Sequence, residues 1–363
     1  MARVPITRIG PSATEDRAVR TQGQKSQREK STATSCLWEL TVPLTAFLLV
    51  VIAAFAHATW NFLAKRAAHS KNLIWFSSAT EAVLFAPLAI WVLTDVRSSL
   101  GLRAAIFLLA TGILHLLYTE SLLRGYRAGD LTVVYPLARG TGPLLSFFGA
   151  VLVLHERPSL LAAAGALMIT FGVLLSSGGL FALRDQANHA GLFWGVATGC
   201  TIACYTLVDG YSVKVLLLSP LLVDYAGNLF RTIALAVGAY RRRVSLRISC
   251  YAAPDRTACA AFSKESRMEF DNATNLDRKS GLRTEYLQCW KEASAIGILT
   301  PVGYILVLFA MRLAPISHVA PLREMSMMIG LFLGAKFLRE GDMVRRIIGS
   351  AFIAGGVAAL ALG

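Results

Sequence analysis

Ten apolar stretches, most of them about 20 residues long and parted by short polar breaks, fill the chain from Leu44 to Leu362. A stretch of that length crosses the roughly 30 Å hydrocarbon layer of a bilayer as one α-helix. A helix satisfies its own backbone donors and acceptors, which lipid cannot do, so helices are the expected spanning element. The spans read as 43–66, 72–94, 103–126, 130–154, 158–178, 189–209, 217–240, 293–313, 316–338 and 344–362. This pattern predicts an all-α membrane protein.

Composition agrees. Charged residues make up 16% of the chain, against about 25% in an ordinary soluble domain. The formal net charge of +14 collects in the N-terminal tail, in the polar segment 241–292 and at helix ends. Basic residues at helix ends report topology and contact with anionic head groups, so nucleic acid is not an expected partner. Cys200 and Cys204 lie one turn apart in an apolar span and read as small packing residues. Cys250, Cys259 and Cys289 fit no zinc spacing, and neither a metal nor a cofactor is expected.

Residues 1–42 read as a disordered basic tail, with a transit peptide as the weaker alternative. The segment 241–292 reads as a long, mostly irregular loop, an insertion at about 244–285. It contains the glycosylation-type triplet Asn272-Ala273-Thr274.

The chain also repeats itself. Leu154-His-Glu-Arg-Pro leads into Gly165, Ile169, Gly172 and Val173. Leu338-Arg-Glu-Gly-Asp leads into Gly349, Ile353, Gly356 and Val357 at one constant offset of 184 residues. Arg139 and Arg323 keep that offset, whereas Pro136 and Pro321, like Arg127 and Arg312, differ from it by one. The expected organisation is a five-helix unit over 43–178 and a second over 189–362. Five is odd, so the second unit enters the membrane inverted. Inverted repeats are common in secondary transporters, whose solute sites lie at the repeat interface near the midplane.

Buried ionisable groups mark the expected site, since each costs about 2.5–3.5 kcal/mol at the bilayer centre on insertion scales. Glu81, Arg139, Arg231, Arg323 and Glu324 lie within spans, with His57, His115 and Glu120 shallower. Arg139 and Arg323 would flank a pseudo-twofold axis and grip an anionic group. Glu81 or Glu324 would carry a proton. Structural ion pairing is the competing reading. Adjacent residues on a helix point about 100° apart, so Arg323 and Glu324 are not expected to pair with each other. Trp60, Asn61, Tyr118 and Tyr135 are candidate lining residues, with helix packing as the alternative role. Asp209, Asp224 and Asn228 lie nearer span ends, within reach of water. The glycines at 191, 195 and 199, and at 330 and 334, suit close helix packing within one chain or across a homodimer. Pro87, Pro136, Pro143 and Pro321 suit kinks or hinges.

Three motifs carry a family resemblance. His57-Ala-Thr-Trp60-Asn61-Phe-Leu-Ala-Lys65-Arg66 resembles the first helix of EamA-like transporters of the drug/metabolite transporter superfamily. Gly129-Asp130-Leu-Thr-Val-Val-Tyr135-Pro136-Leu-Ala-Arg139-Gly140 resembles the fourth, and Leu313-Ala-Pro-Ile-Ser317-His-Val-Ala-Pro321-Leu-Arg323-Glu324 the ninth. The resemblance implies ten helices as two inverted repeats around a central cavity that opens alternately to either side. It also implies export of a small metabolite or drug-like solute, without an enzymatic step, at the inner (cytoplasmic) membrane, with both termini in the cytoplasm. Proton coupling, sodium coupling and facilitated exchange stay open. So does a second class, an intramembrane enzyme acting on a lipid or prenyl carrier.

Overall fold

The structure, a computed structural model, describes residues 42–67, 70, 72–96, 101–128, 131–176, 189–252, 282–330 and 343–363. The N-terminal tail, Asn272-Ala273-Thr274, Cys259, Gly334 and the motif Leu338 to Asp342 lie outside the described residues. Ten helices are bounded among the described residues: α1 Leu44–Arg66, α2 Leu73–Val96, α3 Leu102–Ala128, α4 Leu131–Val153, α5 Leu160–Ser176, α6 His189–Lys214, α7 Pro220–Ala252, α8 Leu282–Leu313, α9 Ile316–Leu322 and α10 Met343–Leu362.

Seven of them are long and apolar enough to cross a bilayer unaided. The other three fall short for legible reasons. Helix α5 has 17 residues, α7 carries Asp224, Asn228 and Arg231, and α9 breaks after 7 residues. Large apolar side chains point outward all round the bundle, among them Leu48, Ile52, Phe55, Leu84, Trp91, Leu102, Leu152 and Phe193. The interior combines apolar side chains such as Ile169, Leu308 and Met311 with small and polar residues. An outer face this apolar is not that of a soluble bundle and suits a lipid surround. Cys200 and Cys204 are on the outer surface rather than in a packing seam.

The polar segment read as a loop is helical at both ends, since α7 runs to Ala252 and α8 begins at Leu282. Arg, Leu and Glu sustain helix well, so both helices continue past their apolar stretches. Glu285 of α8 accepts hydrogen bonds from the Ser70 hydroxyl (2.9 Å) and from the Asn72 backbone and side-chain amides (3.1 and 2.8 Å). It thereby fastens the α1–α2 connection, and α8 from Glu285 onward is part of the bundle.

Some helix pairings are related by exchange: α1 packs on α8 as α6 packs on α3, and α3 packs on α7 as α8 packs on α2, while α5 faces α10 and α2 faces α7. The close α4–α6 pairing has no matching α9–α1 pairing among the described residues. The α5–α10 seam is antiparallel and held by glycine. A Cβ on Gly165 would meet the Gly356 oxygen at 2.7 Å, and one on Gly356 would meet the Gly165 oxygen at 2.6 Å. Gly172 and Gly349 stand in the same mutual relation, at 2.6 and 2.8 Å. Gly195 and Gly199 of α6 press on Leu137, Thr141 and Gly142 of α4, so that glycine face is occupied within the chain.

One clasp ties the α4–α5 connection to α9. The Glu156 carboxylate accepts the backbone N–H of Ile316 and of Ser317, each at 2.9 Å, and lies 3.3 Å from the Lys214 ammonium. Burial pushes its carboxyl up, but the Ser317 and Ile316 N–H groups, the Ser317 hydroxyl and Lys214 outweigh that and hold it below the ordinary value. The resulting stability is complete above the unfolded glutamate value of about 4.3 and is lost as pH falls through the lower folded value. Glu156→Gln is therefore expected to melt earlier than the parent at neutral pH. The difference shrinks on acidification, and thermal melts at graded pH check it.

Candidate functional site

Helix α9 ends where its charges begin. Pro321 has no N–H to continue the helical ladder. The backbone tightens to three-residue spacing, with Glu324 N–H bonding the Pro321 carbonyl (3.0 Å) and Met327 N–H the Glu324 carbonyl (2.9 Å). Helix resumes over 325–330. Arg323 and Glu324 occupy this break and are 5% and 1% exposed. Adjacent side chains still diverge at this tight turn, and Arg323 Nε stands 4.0 Å from Glu324 Oε1, beyond hydrogen-bond distance.

Arg139 reaches the same break from the middle of α4. Its Nη2 lies 3.0 Å from Glu324 Oε2 and donates to the Ser326 hydroxyl at 3.2 Å. One turn earlier, Tyr135 directs its hydroxyl at Met327 Sδ, 3.7 Å away. Arg139, Arg323, Glu324 and Tyr135 thus form one group between α4 and the broken α9. The Arg323 Nε and Glu324 Oε1 atoms have no hydrogen-bond partner among the described residues.

Tyr118 borders that group. It lies within electrostatic reach of Arg139 and Tyr135 and sets its ring edge-on to Tyr205, with centroids 5.6 Å apart. Trp60 and Asn61 turn back on their own helix. Trp60 Nε1 donates to His57 Nδ1 (3.1 Å), and the Asn61 amide donates to the His57 carbonyl (2.7 Å). His57 itself is within electrostatic reach of Arg139 and Arg323.

Glu81 belongs to a separate cluster. Its Oε2 lies 3.3 Å from Arg231 Nη2, which also donates to Asn228 Oδ1 (2.8 Å), while Arg231 Nε donates to the Ser78 hydroxyl (3.1 Å). Asn228 in turn donates to the Ser78 carbonyl at 3.1 Å. This network fastens α7 to α2. Removing one member of a buried pair strands the other, so Glu81→Ala is expected to cost about 3–5 kcal/mol. Glu81→Gln retains a hydrogen-bond acceptor and costs less. Denaturant titration of the purified chain orders the two.

Two residues assigned to watery span ends are buried. Asn228 is 2% exposed and Asp209 is fully enclosed. Tyr304 of α8 donates to Asp209 Oδ2 at 2.6 Å, and His115 of α3 stacks on Tyr205 of α6 at 4.4 Å. Position along a helix does not reveal which neighbours cover it. Glu120 is the reverse case, half exposed and paired with Arg124 at 2.8 Å.

Residues 44–178 match the EamA-like transporter family. A solved structure known as "Crystal structure of protein" is similar over 87% of this chain and 97% of that chain, with a TM-score of 0.58. Its identity of 15% makes this a likeness of fold alone. No curated protein is matched by the chain. The multi-pass bundle of apolar helices and the family match agree, and over residues 44–178, α1 to α5, the chain is similar to the EamA-like transporter family.

Proposed function

We propose that the chain is a secondary transporter that exports a small metabolite or drug-like solute across the cell's inner membrane. Two inverted five-helix halves, 43–178 and 189–362, rock around the group formed by Arg139, Arg323, Glu324 and Tyr135. The broken α9 carries this reading. A discontinuous helix with buried charges, inside a bundle whose outer face suits lipid, is the arrangement that positions a solute near the midplane. The constant 184-residue offset, the exchange of helix pairings and the mutual glycine contacts support the inverted repeat.

In this reading Arg323, whose Nε lacks a hydrogen-bond partner among the described residues, meets an anionic group of the solute. Tyr118, Trp60 and Asn61 line the approach. No observation favours the intramembrane enzyme. The test is efflux from proteoliposomes loaded with metabolite pools. Losing one charge-assisted hydrogen bond, about 1.5–3 kcal/mol, predicts at least a tenfold loss of transport in Arg323→Ala. A folded Arg323→Ala chain that transports normally ends the assignment.

A further inference from the structure

Glu81 and Glu324 each face a guanidinium, but Asp209 does not. Its carboxylate is wholly enclosed on α6. The Oδ2 atom accepts the Tyr304 hydroxyl at 2.6 Å and lies 3.8 Å from His115 Nε2. The Thr111 hydroxyl of α3 also acts on this carboxylate, but the Oδ1 atom has no partner within hydrogen-bond distance among the described residues. Neither has the hydroxyl of Thr206, which is buried three residues earlier on the same helix. Arg323 after α9 and Asp224 of α7 act on Asp209 only through space. A buried carboxylate without a cation in contact is costly unless it takes up a positive charge.

The imidazole is already oriented for that event. His115 Nδ1 lies 3.0 Å from the Thr111 carbonyl and 3.2 Å from its hydroxyl. Donation from Nδ1 to the carbonyl leaves the Nε2 lone pair of a neutral ring turned to Asp209. Tyr205 stacks on one side of the ring, and Gly227 of α7 closes near it, with room for a Cβ only at 3.1 Å from its atoms. Two acceptors therefore face each other 3.8 Å apart, beyond hydrogen-bond distance, and a proton taken up by either one would turn their repulsion into attraction.

We propose that Asp209 and His115, with Tyr304 and Thr206 around them, form a proton-binding site of the bundle. The proton arrives from water, forms an O–H bond on Asp209 or an N–H bond on His115, and leaves to water, with no other bond changed. Its use as a driving ion rests on the transporter reading; its residence does not. That use would assign the coupling role to Asp209 in place of Glu81 or Glu324, whose carboxylates already have arginine partners.

The test is infrared difference spectroscopy of the full chain in liposomes, stepped between acid and alkaline buffer. The expected result is a titrating carboxylic-acid carbonyl band that vanishes in Asp209→Asn, persists in Glu81→Gln and Glu324→Gln, and shifts its midpoint in His115→Gln. Should Asp209→Asn fail to fold, Asp209→Glu must move the band or its midpoint. A band unchanged by either Asp209 variant overturns the proposal. So does a band whose titration disappears when sodium is replaced by choline, which would make the occupant a metal cation. The spectrum needs no solute. A chain with the band but no transport sinks the transporter reading alone, and a transporting chain without the band sinks the proton site alone.

Discussion

Gly172→Val is expected to prevent the chain from assembling as a monodisperse, folded bundle. A Cβ at Gly172 falls 2.6 Å from the Gly349 oxygen and 2.9 Å from the Ile353 nitrogen. Those are backbone atoms of α10 and cannot swing aside, so the two helices must part. Overpacking of a tight seam costs about 1–3 kcal/mol, and more where nothing yields. Gly349→Val is expected to do the same, because its Cβ would meet the Gly172 oxygen at 2.8 Å and Ser176 at 2.5 Å. Both variants open the same gap, so the double change should cost less than the sum of the two. Gly101→Ala, where a Cβ meets nothing within 4 Å among the described residues, is the control expected to behave like the parent. Size-exclusion profiles and thermal melts of the two single variants, the double variant and the control decide the matter.

What the sequence disclosed follows from which signals are local. An apolar run of 20 residues has one solution in lipid, so the helices and their order were legible, as was the glycine spacing of the α5–α10 seam. Side-chain partners were not, because they come from other helices. Asp209 sits 5 residues from the end of α6, which suggests water, yet Tyr304 and His115 cover it. Arg323 and Glu324 do not form a close pair, as their adjacency on a helix implies: they stand 4.0 Å apart without a hydrogen bond, and Glu324 pairs across to Arg139 of α4. Pro321, which suits a kink, lacks an N–H and interrupts the ladder at that point. The polar segment after 240 misled in the opposite sense. Charge marks where lipid ends, not where helix ends, so α7 and α8 outrun their membrane spans.

The pairing of Arg139 with Glu324 separates a structural from a transporting role. Either single change leaves one buried charge facing the vacated position, because Glu324 is 1% exposed and Arg139 9%. Arg139→Met or Glu324→Leu alone is therefore expected to destabilise the bundle by about 3–5 kcal/mol. The double variant removes both charges, which for an isolated buried pair is commonly neutral or stabilising, but here it also leaves the buried Arg323 without the carboxylate 4.0 Å away. It should therefore lose less stability than the two single losses added together, without regaining all of the parent's, and the double-mutant cycle reads the coupling directly. Transport discriminates the two roles. If the pair only holds α4 against the break in α9, the double variant moves solute like the parent. If the guanidinium and carboxylate rearrange as the crevice opens to one side and then the other, the double variant is folded but inert, since an apolar pair cannot exchange its partner for solute or water. The expected result is the second, a chain that still folds as a monodisperse bundle and shows no efflux above that of empty liposomes.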